Sequence, residues 1–145
     1  MRLSWIIGGA LLAASATSSH AAGPDLAYGA YQRGLYQTAF REANLRLEKN
    51  TNDAAAMTLL GELYNQGLGV AMDPKKASEW YRLAAGRGDA NALASLGLMA
   101  LDGRGMPKDP KAGRRWLEQA TAQGSSTAAY NLGLILIGTG ATADE

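Results

Sequence analysis

A shift of thirty-six residues brings much of this chain back onto itself. Leu60-Gly61 falls on Leu96-Gly97 and then on Leu132-Gly133. Gly67-x-Gly69 falls on Gly103-x-Gly105, and Asp73-Pro74-Lys75 on Asp109-Pro110-Lys111. Trp80 matches Trp116, Ala84 matches Ala120, and Gly88 matches Gly124. Chance similarity in an alanine-rich chain would match alanines, not tryptophan, Asp-Pro and paired glycines. A period of this length marks a solenoid, in which each unit buries its apolar face only against its neighbours. That architecture constrains every later reading of individual residues.

The repeating residues punctuate helices. Asp53 caps a helix over residues 54–66, with Leu59, Leu60, Leu63 and Tyr64 on one face at helical spacing. Gly67-Leu68-Gly69 stops it, because glycine accepts the left-handed backbone of a helix end. Asp73-Pro74 starts the next helix, running to Arg87, with Ala77, Trp80, Tyr81 and Ala84 directed inward. Gly88-Asp89 repeats the stop and cap. Ala90–Asp102 and Pro110–Gln123 rebuild the unit, and Gly124-Ser125-Ser126 opens a last helix over Thr127–Ile137. Upstream, residues 25–50 read as a shorter helical hairpin broken at Gly34. The expected divisions are 1–21, 22–52, 53–89, 90–125 and 126–145. The last unit lacks a second helix, so it either caps the stack or belongs to a longer protein.

Residues 1–21 read as a secretory signal peptide. Arg2 supplies the positive end, Trp5–Ala14 the apolar run, and Ser19-His20-Ala21 the small residues before a cut, with a cut after Ala22 as the alternative. The apolar run is short for a membrane anchor. Cleavage places the mature chain in the periplasm or outside the cell, with no stable membrane insertion. It removes Arg2, taking the formal charge from +1 to 0, and it removes His20, the sole histidine. With no cysteine either, the mature chain has no disulfide, no Ser-His-Asp or Cys-His arrangement, and no imidazole or thiolate zinc site.

Other chemistry is weighed against helix structure. Asp73, Asp89 and Asp109 stand at cap positions, and Glu79 and Glu118 fall beside Arg82 and Arg114 at helical spacing. The Gly-x-Gly pairs follow helices, whereas a dinucleotide fingerprint follows a strand. Lys75, Lys76, Arg104, Lys108, Lys111, Arg114 and Arg115 form a modest basic cluster in a neutral chain. That composition argues against a nucleic-acid partner. No enzyme, cofactor or metal is expected. Two alternatives stay open: a cell-wall hydrolase working through carboxylates, and a structural homo-oligomer joined through the apolar C-terminal helix.

Leu60-Gly61-x-x-Tyr64-x-x-Gly67-x-Gly69-Val70, Asp73-Pro74-Lys75-Lys76-Ala77, Trp80-Tyr81 and Ala84-Ala85-x-x-Gly88-Asp89 resemble the Sel1-like repeat, a relative of the tetratricopeptide repeat. Unit 55–89 carries the pattern fully. Unit 91–125 has Gly113 and Leu117 in place of the usual Ala and Tyr. Residues 127–138 give half a unit, and 25–50 a degenerate one. The resemblance implies an all-α, right-handed α-solenoid that binds other proteins, often exported in bacteria and in several cases an adaptor in envelope signalling. It also implies a concave groove lined by the first helix of each pair. Carried onto this chain, the groove positions are Tyr28, Tyr31 and Gln32; Thr58, Glu62, Asn65 and Gln66; Ala94, Leu98, Leu101 and Asp102; and Tyr130, followed by Leu134, Ile137 and Gly138. The implied partner is a protein or peptide of the cell envelope.

Overall fold

The computed structural model describes residues 25–140, and the expected signal peptide lies outside them. Among the described residues there are seven helices and no strand. α1 (Leu26–Gln32) and α2 (Tyr36–Lys49) form the first hairpin, α3 (Ala54–Gln66) and α4 (Pro74–Ala85) the second, and α5 (Ala90–Asp102) and α6 (Pro110–Ala122) the third. α7 (Ser126–Gly140) follows.

Caps set these boundaries. Asp25, Asp53, Asp73, Asp89 and Asp109 each accept a backbone N–H of the first turn. Pro74 and Pro110 occupy first positions, where a missing N–H costs nothing. Gly67 and Gly103 end α3 and α5 at φ +68° and +70°. Three boundaries differ from expectation at the C-terminal side, the smallest being that of α6, which ends at Ala122 rather than Gln123. α4 stops at Ala85 rather than Arg87, because the N–H groups of Arg87 and Gly88 turn back to Ala84 and Ala85. α7 continues past Ile137 to Gly140, since nothing forces Gly138 into a left-handed turn.

The second glycine of each Gly-x-Gly has a separate task. A Cβ on Gly69 would lie 2.7 Å from the Gln37 nitrogen, and one on Gly105 would lie 2.2 Å from the Pro74 carbonyl oxygen. Each loop therefore rests directly on the start of the preceding unit's second helix. The first glycine stops a helix, and the second lets two backbones touch.

The core is built mostly from small side chains. Ala27, Ala30, Ala39, Ala43, Ala56, Ala77, Ala84, Ala92 and Ala120 are fully buried, and the largest fully buried side chains are Tyr81, Leu60, Leu63 and Leu117. The apolar interior falls into three consecutive clusters. Half-buried Trp80 packs on the first and second, and Trp116 on the second and third. Trp80 is therefore less deeply inserted than expected. It joins units instead of filling one.

Sequential helices pack against each other, and the first helices also meet one unit apart, α3 with α5 and α5 with α7. No comparable contact joins α2 with α4 or α4 with α6 among the described residues. Closer spacing on one side makes the stack bend toward the first helices. That side is the concave face.

Candidate functional site

The concave face begins with aromatic rings on α1. Tyr28 is 51% exposed and stacks on Tyr31, with ring centroids 6.2 Å apart and planes 18° apart. Tyr31 in turn meets Tyr36 edge-on at 5.8 Å. This geometry suits aromatic quadrupoles and holds the rings in place without burying them.

A polar group adjoins the rings. Glu62 on α3 accepts a 2.7 Å hydrogen bond from the Tyr81 hydroxyl, and it also accepts from the Gln66 amide. Burial and the negative charge of Glu62 push the Tyr31 hydroxyl above its ordinary pKa, against the pull of its bond with Gln66. Burial, then the Glu62 charge, pushes Tyr81 up in the same way, opposed by its hydrogen bond with Ser95 of α5. Gln66, Glu62 and Tyr81 are thus joined across α3 and α4, with Tyr31 of α1 beside them. The Tyr81 ring lies over Gly61, where a Cβ would stand 2.6 Å from it. Glycine at that position lets a tyrosine from the second helix reach through to the groove with its hydroxyl. The sequence marked Tyr81 as core. Its polar end was the part that periodicity could not show.

The expected groove positions separate by register. Tyr28, Gln32, Gln66 and Asp102 are exposed, and Tyr31, Glu62 and Leu98 are half-buried on the same side. Four other residues need correction. Thr58 Oγ1 donates to Asp89 Oδ2 at 2.8 Å and to the Ala54 carbonyl, so it ties α3 to the cap of α5. Ala94, at the equivalent position, is 0% exposed and packs in the third cluster beside Ala128 of α7. Tyr130, in the same register on α7, is 68% exposed. Leu101 lies against Gly113 of α6, 2.9 Å from where a Cβ would be. Asn65 shares that register, and its Oδ1 is buried without a hydrogen-bond partner among the described residues. Leu101 thus packs toward the second helix of its own unit.

Two further arrangements carry no periodic signal. Arg46 on α2 bonds Asp53 with two nitrogens, Nε at 2.8 Å and Nη2 at 2.9 Å, and Asp25 with Nη1 at 2.8 Å. It clamps the N-caps of α1 and α3 together. Arg104 donates to the Asn65 carbonyl oxygen, linking the loop of the third hairpin to the end of α3. Of the expected helix-surface pairs, Arg114 and Glu118 meet at 3.1 Å. No group of three or more His, Cys, Asp or Glu residues gathers at one place among the described residues, and no described helix is long and apolar enough to cross a membrane.

The Sel1 repeat family model matches residues 54–89, 90–125 and 126–145. Comparison with curated proteins gives no significant match. Among solved structures, a Sel1 repeat protein from Oxalobacter formigenes is similar at TM-score 0.68 and 29% identity, over 78% of this chain and 46% of that one. Helicobacter pylori cysteine rich protein B is similar at 0.59 and 29%, over 66% of this chain and 71% of that one. A protective antigen of uropathogenic Escherichia coli strains, described as displaying an SLR fold, is similar at 0.61 and 31%, over 76% of this chain and 23% of that one. This chain therefore spans under half of the first and under a quarter of the third. The Helicobacter protein is named for cysteines and this chain has none, so the likeness lies in the helical framework.

Proposed function

The chain belongs to the Sel1 repeat family, whose members are generally protein-interaction scaffolds, and from that premise we propose that its concave face binds a protein or peptide segment without catalysis. The observation that carries this reading is the row from Tyr28 through Tyr31, Gln66 and Glu62 to Leu98 and Asp102. It offers aromatic, acidic and aliphatic surface in sequence along one side of the stack. Glu62 and Asp102 favour a segment with a basic residue, and the exposed tyrosines give it an apolar anchor. Glu62 accepts only internal hydrogen bonds here and, as a carboxylate, keeps lone pairs for a further donor. The expected leader supports placing this interaction in the cell envelope, with the protein as an adaptor.

Capture from envelope extract tests the reading. Tyr28→Ala and Asp102→Lys should each lower recovery of a specific partner at least tenfold with unchanged helicity, while Leu83→Lys on the outer helix α4 should not. Equal recovery with all three variants would remove the groove from the function. Glu62→Lys is a poorer probe, because it also breaks the bond to Tyr81.

A further inference from the structure

Charge is sorted between the two kinds of helix. Among the described helices, every lysine and arginine lies on α2, α4 or α6. The helices α1, α3, α5 and α7 carry two charged residues, Glu62 and Asp102, and both are acidic. The helices that line the concave side therefore contribute only negative charge to it.

Glu62 stands apart from the other half-buried carboxylates. Asp53, Asp73 and Asp89 cap helices, and Asp53 also pairs with Arg46. Glu42 pairs with Arg41. Glu62 does neither among the described residues. Its two bonds come from neutral donors, the Gln66 amide at Oε1 and the Tyr81 hydroxyl at Oε2. Such a carboxylate has given up part of its hydration with no opposite charge to offset the loss. One bond on each oxygen also leaves each a further acceptor site, as many as the two-pronged fork of a guanidinium requires.

Aromatic surface lies next to this carboxylate. Tyr31 is near enough for the Glu62 charge to add to burial in raising its hydroxyl pKa. Tyr28 runs nearly parallel to Tyr31, with planes 18° apart, and at 51% exposure it gives ring surface to solvent. A flat cation stacks on such a surface while its edge reaches a carboxylate.

We propose that Glu62 and the Tyr28–Tyr31 pair form a seat for one arginine side chain of the partner, with its guanidinium paired to the Glu62 carboxylate and its plane on a tyrosine ring. Lysine fits less well, because a point charge makes neither the fork nor the flat stack. The seat rests on the reading of the concave face as a binding surface, and it names the side chain recognised there.

Nuclear magnetic resonance titration of the full chain, labelled at tyrosine rings and glutamine side chains, tests this. The probes are N-acetyl-arginine amide, N-acetyl-lysine amide and N-acetyl-citrulline amide, the last having the shape of arginine without its charge. The arginine compound should move the Tyr28, Tyr31 and Gln66 signals saturably. It should bind about tenfold more tightly than the citrulline compound and about threefold more tightly than the lysine compound. Glu62→Gln keeps an acceptor for the Tyr81 hydroxyl and should weaken the arginine compound about tenfold. Tyr28→Ala, at an exposed position, should weaken it about threefold. Citrulline or lysine binding as tightly as arginine overturns the proposal. So does arginine binding that Glu62→Gln leaves unchanged, or the absence of any shift. Where the titration fails in one of these ways but Tyr28→Ala still lowers capture from envelope extract, the groove keeps its role and the arginine seat alone is lost. Capture that is also indifferent to Tyr28→Ala removes both.

Discussion

At the scale of single residues, one repeat position gives opposite signs in two units. Gly61 supports the Tyr81 ring with no room for a methyl group, whereas Gly133 has open space. Gly61→Ala gains about 1 kcal/mol of helix propensity but forces the ring aside, and overpacking of this kind costs about 1–3 kcal/mol. We expect a net loss by urea unfolding. Gly133→Ala, measured in dilute solution, should instead stabilise by roughly 0.5–1 kcal/mol, since only the propensity changes. Arg46 gives a second residue-scale prediction. Arg46→Met removes charge-assisted bonds to two helix caps and should cost about 1–3 kcal/mol at neutral pH. Burial raises the Asp25 pKa, but the Tyr28 N–H and Arg46 together hold it below the ordinary 3.8. A lowered folded pKa adds stability above that ordinary value, and the addition is lost as pH falls through the folded one. The gap between wild type and Arg46→Met should therefore narrow in acid over that range.

At the scale of elements, the helices were largely legible because their ends are written in capping chemistry. Asp-Pro, Gly-Asp and the first glycine of Gly-x-Gly each perform a local task that needs no tertiary partner. The groove was less legible. The register that places 65 and 101 inward by analogy ignores what the second helix does. In this chain α6 carries Gly113, and Leu101 fills the space an alanine would narrow. Thr58 was lost to the groove because its hydroxyl serves the next unit's cap. Arg46 was unreadable because its partners lie at two different helix starts and the arrangement repeats nowhere. The tryptophans are also an element-scale feature, since each touches two clusters. Trp80→Ala should cost about 2–4 kcal/mol, somewhat under the range for a fully buried aromatic. It should also broaden the urea transition, as units lose the contact that makes them unfold together. A sharp transition with only a shifted midpoint would show that the clusters are coupled by other means.

At the scale of the whole molecule, one repeating framework carries a face whose chemistry changes from unit to unit. The conspicuous residues are consumed by the framework: aspartates as caps, glycines as stops and contacts, tryptophans as joints. What differs between units is the exposed chemistry of the first helices, aromatic at α1, acidic and amide-bearing at α3, aliphatic and acidic at α5. The bonds of Glu62 to Gln66 and Tyr81 tie this face to the second helix α4. Tyr81→Phe keeps the ring over Gly61 and deletes only the hydroxyl. It should cost about 0.5–1.5 kcal/mol in stability and weaken partner binding, because Glu62 is then held less firmly. The account's central claim is that recognition happens on the concave face. A photo-crosslinking residue placed in turn at Tyr28, Gln66, Asp102, Leu83 and Glu79 in the living cell tests it most directly. The account predicts one discrete cross-linked partner from Tyr28, Gln66 and Asp102 and none from Leu83 or Glu79 on α4. A partner captured from α4 alone would contradict it.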